Sequence, residues 1–290
     1  MLPWSSQMSS ETQPGRYRLV AVDLDGSLQP NGALHEADAA ALRTAHAAGV
    51  KVVLVSALPP QLMHRYWAQL GLGAPIIALN GALVYDFPSH RPVAGQPLEA
   101  EQLQRIMQAV HETAPQAAVA LQQREVWVTN HLGRAAKEMI QRTGVWPSYM
   151  GDLASRLGDE IYQVWVSADA GPLEALEAAL THAGLSLARY TDPARLVMQA
   201  ASVSRGWALS SLASQMEVAP HEVMAIGGGG QDRSMLQAAA FAVLVSDMGK
   251  ELEPVADVER MAKTPGVAEA LARYLTVEES EIEAWPSVEP

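Results

Sequence analysis

Short continuous apolar runs alternate along this chain with longer segments whose apolar residues recur every three or four positions. The run at 19–23 predicts a buried strand, and a turn around Pro30, Asn31 and Gly32 follows it. An alanine-rich helix begins near His35 and stops near Gly49. Residues 50–56 read as a second buried strand, and Pro59-Pro60 opens a helix that ends near Gly71. A third strand at 75–79 runs into Asn80-Gly81, a tight-turn dipeptide that returns 82–85 as a hairpin partner. This β-α-β-α-β order predicts an α/β fold, a parallel sheet covered by helices.

From 87 to 191 the pattern changes. A helix near 99–112, paired strands near 118–122 and 125–129, a loop-rich stretch through Pro147 and Gly151, a strand at 161–167, a helix at 173–183 and a strand near 185–190 form an α+β insertion. The β-α alternation then resumes, with a helix at 205–215, a strand at 222–226, a loop of four glycines at 227–230, a helix through 235–239, a strand at 241–245 and a last helix at 267–274. The expected division is therefore a discontinuous core, 17–86 with 192–276, interrupted by a cap-like domain at 87–191. Residues 1–16 and the acidic stretch 277–290 lack apolar periodicity and read as loose extensions.

With 49% hydrophobic residues in 290, the chain can bury a substantial core. Its 32 acidic and 20 basic residues leave a formal charge of -12, which disfavours nucleic acid or an anionic membrane as partner. Any bound phosphate must be met by a local cation. There is no cysteine, so disulfides, thiolate metal sites and a cysteine nucleophile are excluded. Met1 to Gly15 does not resemble a secretory signal and no window approaches a membrane span, so a cytoplasmic location is expected.

The chemistry concentrates at strand ends. Asp23 and Asp25 stand two apart where the first strand stops, the place where open α/β sheets bind ligands. There one carboxylate can attack phosphorus while the other moves a proton. Asp-Leu-Asp-Gly is also an ordinary strand-to-loop turn whose side chains cap backbone amides, and the spacing alone leaves both readings open. Ser56 likewise reads as a strand-end hydroxyl satisfying a turn, and Asn80-Gly81 as a hairpin turn. Arg205 sits at a helix start, where its charge opposes the helix dipole unless an anion lies nearby.

Taken together, Asp23-Leu-Asp25-Gly26-Ser27, Ser56, Asn80-Gly81-Ala82, Arg205 and the loop 227–232 resemble, in order and spacing, the motifs of the haloacid dehalogenase superfamily. The closest likeness is to its Cof-like phosphatases, whose cap follows the second motif. The resemblance spans roughly 18–275. It implies a Rossmann-like core and a magnesium-dependent phosphatase of a small phosphorylated metabolite. Asp23 would be the nucleophile, Asp25 the acid and base, and Ser56 and Arg205 contacts to the transferred phosphoryl group. Gly26, Asn80 and Gly81 would lie against substrate, and Asp23, the backbone carbonyl of Asp25 and Asp232 would ligate Mg²⁺. Four departures stand out. Ser27 replaces the usual threonine; Ala57-Leu58 replaces Gly-Arg; Arg205 replaces lysine; and Gly227-Gly228-Gly229-Gly230-Gln231-Asp232 lacks the first aspartate, normally a metal ligand, at Gly228. Asp247 is a candidate replacement carboxylate, or a helix cap. These departures motivate a rival reading, a catalytically impaired relative that binds a phosphorylated ligand or a protein partner. A dinucleotide-binding oxidoreductase fits less well, because no glycine fingerprint stands at the first βα turn. Oligomeric state is not legible.

Overall fold

The computed structural model describes residues 17–28, 33–245, 258–261 and 266–275. The turn at Pro30–Gly32, Asp247 and both chain extensions lie outside the described residues.

The first sheet is built from β1 (Leu19–Asp23), β2 (Lys51–Val55), β3 (Ile76–Ala78), β4 (Leu83–Asp86) and β5 (Arg91–Gly95). A second sheet takes β6 (Ala118–Gln122), β7 (Trp127–Thr129), β8 (Tyr149–Met150), β9 (Gln163–Ser167), β10 (Leu185–Thr191) and β11 (Ala194–Ala200). The chain then returns to the first sheet with β12 (Val223–Gly227), β13 (Phe241–Val245) and β14 (Val258–Met261). The strand order there is β14-β13-β12-β1-β2-β3-β4-β5, parallel except for β4 and β5; the second sheet runs β10-β11-β9-β6-β7-β8 and is antiparallel except between β7 and β8.

Side-chain alternation along β1 explains why it lies at the centre. Val20 and Val22 enter an apolar cluster beneath α1 (Glu36–Ala47), α2 (Pro60–Leu70) and α8 (Gly266–Tyr274), whereas Leu19 and Ala21 enter another beneath α6 (Arg205–Gln215) and α7 (Arg233–Ala238). A strand buried on both faces reads as a continuous apolar run, which is how it was legible. In the second sheet one face packs on α3 (Ala100–Thr113) and α5 (Ala170–Leu180). On the other face Trp127, Trp165 and Val197 meet Ala136 and Met139 of α4 (Arg134–Thr143), together with Leu62 of α2. Through Leu62 the inserted sheet rests on the first domain.

Sheet membership shifts both junctions of the expected division. β5 pairs with β4, so the first sheet extends past residue 86; β11 pairs with β9 and β10, so the second extends past 191. After the paired strands, where a loop-rich stretch through Pro147 and Gly151 is expected, the chain first forms α4, whose apolar residues at 135, 136, 139 and 140 make one stripe between Gly133 and a left-handed Gly144.

A buried carboxylate ties the two ends of the first domain together. Asp38 of α1 accepts a hydrogen bond at 2.7 Å from the backbone N–H of Ala268, in the first turn of α8, where negative charge also suits the helix dipole. Asp38→Ala leaves that amide without its partner and is expected to lower stability by about 1–3 kcal/mol in chemical denaturation. An unchanged midpoint would contradict this role.

Candidate active site

Asp23 is the last residue of β1, 1% exposed, and both its oxygens are engaged. Arg205 Nη1 donates to Oδ1 at 2.8 Å and Ser27 Oγ donates to Oδ2 at 3.1 Å. Beyond the strand end, Asp25 remains half-buried, and Ser56 Oγ donates to its Oδ2 at 2.6 Å. Ser56 stands just past β2, and its hydroxyl also accepts from the Leu58 backbone N–H at 3.0 Å. Gly26 follows in an exposed left-handed turn with φ +90°. Two neighbouring parallel strands thus deliver Asp23, Asp25 and Ser56 to one point.

β3 supplies the next wall. Leu79, Asn80 and Gly81 all have positive φ, 52°, 54° and 93°, so a three-residue left-handed turn joins β3 to the hairpin strand β4. That conformation costs energy for Leu79 and Asn80 and persists because the surroundings fix it. The Leu79 and Asn80 N–H groups donate to the carbonyls of Leu58 and Ser56, each at 3.0 Å. From the second sheet, Gln163 Nε2 donates to the Leu79 carbonyl at 3.2 Å and Gln199 Nε2 to that of Asn80 at 3.5 Å. The turn aims Asn80 Oδ1 at Arg205, accepting from Nε at 3.2 Å and Nη2 at 3.0 Å.

Arg205 opens α6, with Ser204 capping the helix by accepting from the Trp207 N–H at 3.1 Å. It is 4% exposed, and its Nη1 bonds the carboxylates of both Asp23 and Asp232. Burial alone disfavours the guanidinium's charge, but Asp232 and Asp23 more than offset it and raise its pKa. The Asp23 pKa is raised as well, which for a carboxyl disfavours the charged form. Burial, then the neighbouring Asp232 carboxylate, raises its carboxyl well above the usual range, against the pull of Arg205.

The remaining oxygen of Asp232, Oδ2, accepts from the backbone N–H groups of Gly228 and Gly229, both at 2.9 Å. The glycine loop is therefore folded around a carboxylate. A Cβ at Gly228 would lie 2.8 Å from the Val245 carbonyl oxygen and 2.9 Å from Ser27 Oγ, so the direction from which a further acid would reach the site is filled. Among the described residues no group of three or more histidine, aspartate or glutamate side chains is placed to hold a metal ion. Of the set implied for Mg²⁺, Asp23 and Asp232 meet at Arg205, and their hydrogen bonds leave carboxylate lone pairs open, as they do on ligating carboxylates generally.

A model of the haloacid dehalogenase-like hydrolase family matches residues 20–271. The chain belongs to that family. It is 25% identical over 261 residues to a phosphoglycolate phosphatase of Methanothermobacter thermautotrophicus, covering 89% of this chain and 99% of that one. A haloacid dehalogenase-like hydrolase from Bacteroides thetaiotaomicron superposes with a TM-score of 0.78 at 20% identity, covering 89% and 99% of the two chains. The subclass IIB sugar phosphatase BT4131 gives 0.74 at 16% identity, covering 88% and 98%. In this member, Leu58 stands where the resemblance expects a substrate-facing arginine, and it packs with the apolar cluster of Leu62, Trp127 and Trp165.

Several contacts of the site had no forewarning in the sequence. Tyr190, from β10 in the inserted domain, accepts from Gln231 Nε2 at 2.5 Å and from Asn80 Nδ2 at 3.5 Å. Its partners Asn80 and Gln231 line a cavity of about 160 Å³ together with Gln199, Ser204, Arg205, Ser234, Ser186, Ala188, Val197 and Val203. Asp23 and Asp25 do not line it. Gly81 sets how closely α6 approaches, because a Cβ there would lie 2.3 Å from the Ser204 carbonyl oxygen and 2.8 Å from the Arg205 nitrogen. Gly81→Ala, strained in φ and in contact, is expected to cost more than about 2 kcal/mol in denaturant titration. Retention of wild-type stability would contradict that close approach.

Proposed function

We propose that this chain hydrolyses the phosphate monoester of a small metabolite through an aspartyl phosphate. Asp23 attacks phosphorus, the bond from phosphorus to the alcohol oxygen breaks, and Asp25 delivers a proton to that oxygen. Asp25, then ionised, takes a proton from water as the water oxygen attacks the acyl phosphate, which releases inorganic phosphate and regenerates the Asp23 carboxylate. Arg205 keeps Asp23 oriented and opposes the burial that would neutralise it, and Ser56 fixes Asp25. Gly26, Asn80 and Gly81 form the rim against which the substrate lies. The inserted domain covers the site and limits the leaving group, with Tyr190, bonded to Asn80 and Gln231, in position to do so. Magnesium, which the resemblance implies, would be held by Asp23, the Asp25 backbone carbonyl and Asp232 and would offset charge on the phosphoryl oxygens.

The observation behind this reading is the unlike setting of two carboxylates two residues apart. Asp23 is buried and accepts from Arg205 and Ser27, whereas Asp25, half-buried beyond the strand end, accepts from Ser56. The kinship with a phosphoglycolate phosphatase and the likeness to a sugar phosphatase support a small phosphorylated substrate. A second reading, a relative that binds such a ligand with little or no turnover, is favoured by Gly228, where a family carboxylate is missing and its space is filled.

Release of phosphate from an aryl phosphate separates the two. Turnover by the wild type, reduced at least about a thousandfold in Asp23→Asn and about 10²- to 10⁴-fold in Asp25→Asn, is the expected result. A silent wild type whose melting temperature rises with inorganic phosphate would instead favour the binding protein, and an equally active Asp23→Asn would remove the nucleophile.

The pH profile follows from the raised Asp23 carboxyl. Attack needs the ionised form, so kcat/KM falls as pH drops through the folded-state pKa. That acid limb is expected above the ordinary carboxylate range of about 4. A limb at or below that range would contradict it.

A further inference from the structure

We propose that a second cavity, bordered by α2 and the inserted domain, receives a second anionic group of the substrate, a carboxylate or a further phosphate carried by the leaving group. This rests on the phosphatase reading above and gives the substrate its class. The cavity measures about 80 Å³, room for one small oxyanion, and Leu58, Arg65, Glu138, Trp165 and Arg195 are among the residues that line it. In a chain of formal charge -12, two guanidiniums from different domains thus border one small space. The single acid in the lining, Glu138, accepts from Arg134 Nε at 2.8 Å, so the balance at the cavity is positive. Both cations are ordered by aromatic faces. Arg195 Cζ lies 4.0 Å from the Tyr190 ring centre and 5.5 Å from that of Trp165, and its Nη1 donates to the Pro193 carbonyl at 3.3 Å. Arg65 Cζ lies 4.4 Å from the ring centre of Tyr66, whose hydroxyl accepts from its Nη2. A stacked guanidinium turns its donors outward in its own plane, the edge that takes a carboxylate or a phosphate by parallel bonds. The neighbours of the cavity give its occupant. Leu58 donates its backbone N–H to Ser56 Oγ at 3.0 Å, and Ser56 donates at 2.6 Å to Asp25, the residue that protonates the leaving oxygen. Tyr190, stacked on Arg195, accepts from Asn80 at 3.5 Å. The cavity therefore adjoins the site beside the leaving-group acid, and what enters it is the far end of the leaving group.

Initial rates with magnesium present are compared for 3-phosphoglycerate, propane-1,3-diol bisphosphate and glycerol 3-phosphate, which share a three-carbon frame and carry a carboxylate, a second phosphate or neither. For at least one of the first two, kcat/KM is expected to exceed that for glycerol 3-phosphate by about tenfold or more, and the larger of the two ratios tells carboxylate from phosphate. That ratio is expected to fall at least about threefold in Arg65→Gln and in Arg195→Gln. Arg65 is exposed on α2, so its variant reads the cavity even if Arg195→Gln does not fold. Equal kcat/KM for the three esters, or a ratio that the variants leave unchanged, would overturn this inference and retain the phosphatase. If none of the three is turned over, melting temperatures decide. A larger rise with the acid or the bisphosphate than with glycerol 3-phosphate, lost in Arg65→Gln, would keep the assignment of the cavity, and no such difference would overturn it. Release of phosphate from an aryl phosphate judges the phosphatase separately.

Discussion

One guanidinium nitrogen, Nη1 of Arg205, is bonded to two carboxylates that the chain brings from residues 23 and 232. All three groups are almost wholly buried. Taking such charges out of water is costly, and leaving any one of them unpaired typically costs about 3–5 kcal/mol. The cluster therefore acts as a lock on geometry. It fixes the end of β1, the start of α6 and the turn before α7 relative to one another. A positive charge at the first residue of α6 is unfavourable toward the helix dipole, and the two acids offset that penalty.

The lock extends outward through Asn80. Its side-chain oxygen takes two bonds from Arg205, and its backbone lies in a left-handed turn held by the first domain through Ser56 and Leu58 and by the inserted domain through Gln163 and Gln199. Tyr190 adds a further crossing to Gln231 and Asn80. Strain in the turn, charge in the cluster and the contacts of the inserted sheet are therefore linked directly, and Asn80 and Arg205 connect the turn to Asp23.

Much of this was readable in one dimension. β1, β2, β12 and β13 are buried on both faces and so appear as unbroken apolar runs, and Asp23, Ser56 and the glycine loop mark where they end. Arg205 was legible as an anomaly, a cation at a helix start. β5 was not visible, because an edge strand containing Pro92 has neither alternation nor β-branched density. α4 was hidden by an overall polar composition that masked its apolar stripe. Other partners of the site residues left no local trace: Gln163, Gln199 and Tyr190 matter through pairings that depend on topology, and nothing near them in sequence announces it. The same holds for Gly228. Its lost carboxylate was plain from the motif, but that the vacated direction is occupied by Val245 and Ser27 depends on how β13 and the loop after β1 converge.

Arg205 holds Asp23 and Asp232 together at the end of the first sheet, and Ser56 holds Asp25 beside them. The most direct measurement is a crystal structure of the wild-type protein. The account predicts Arg205 Nη1 within hydrogen-bond distance of both Asp23 and Asp232. Arg205 withdrawn from either carboxylate would contradict it.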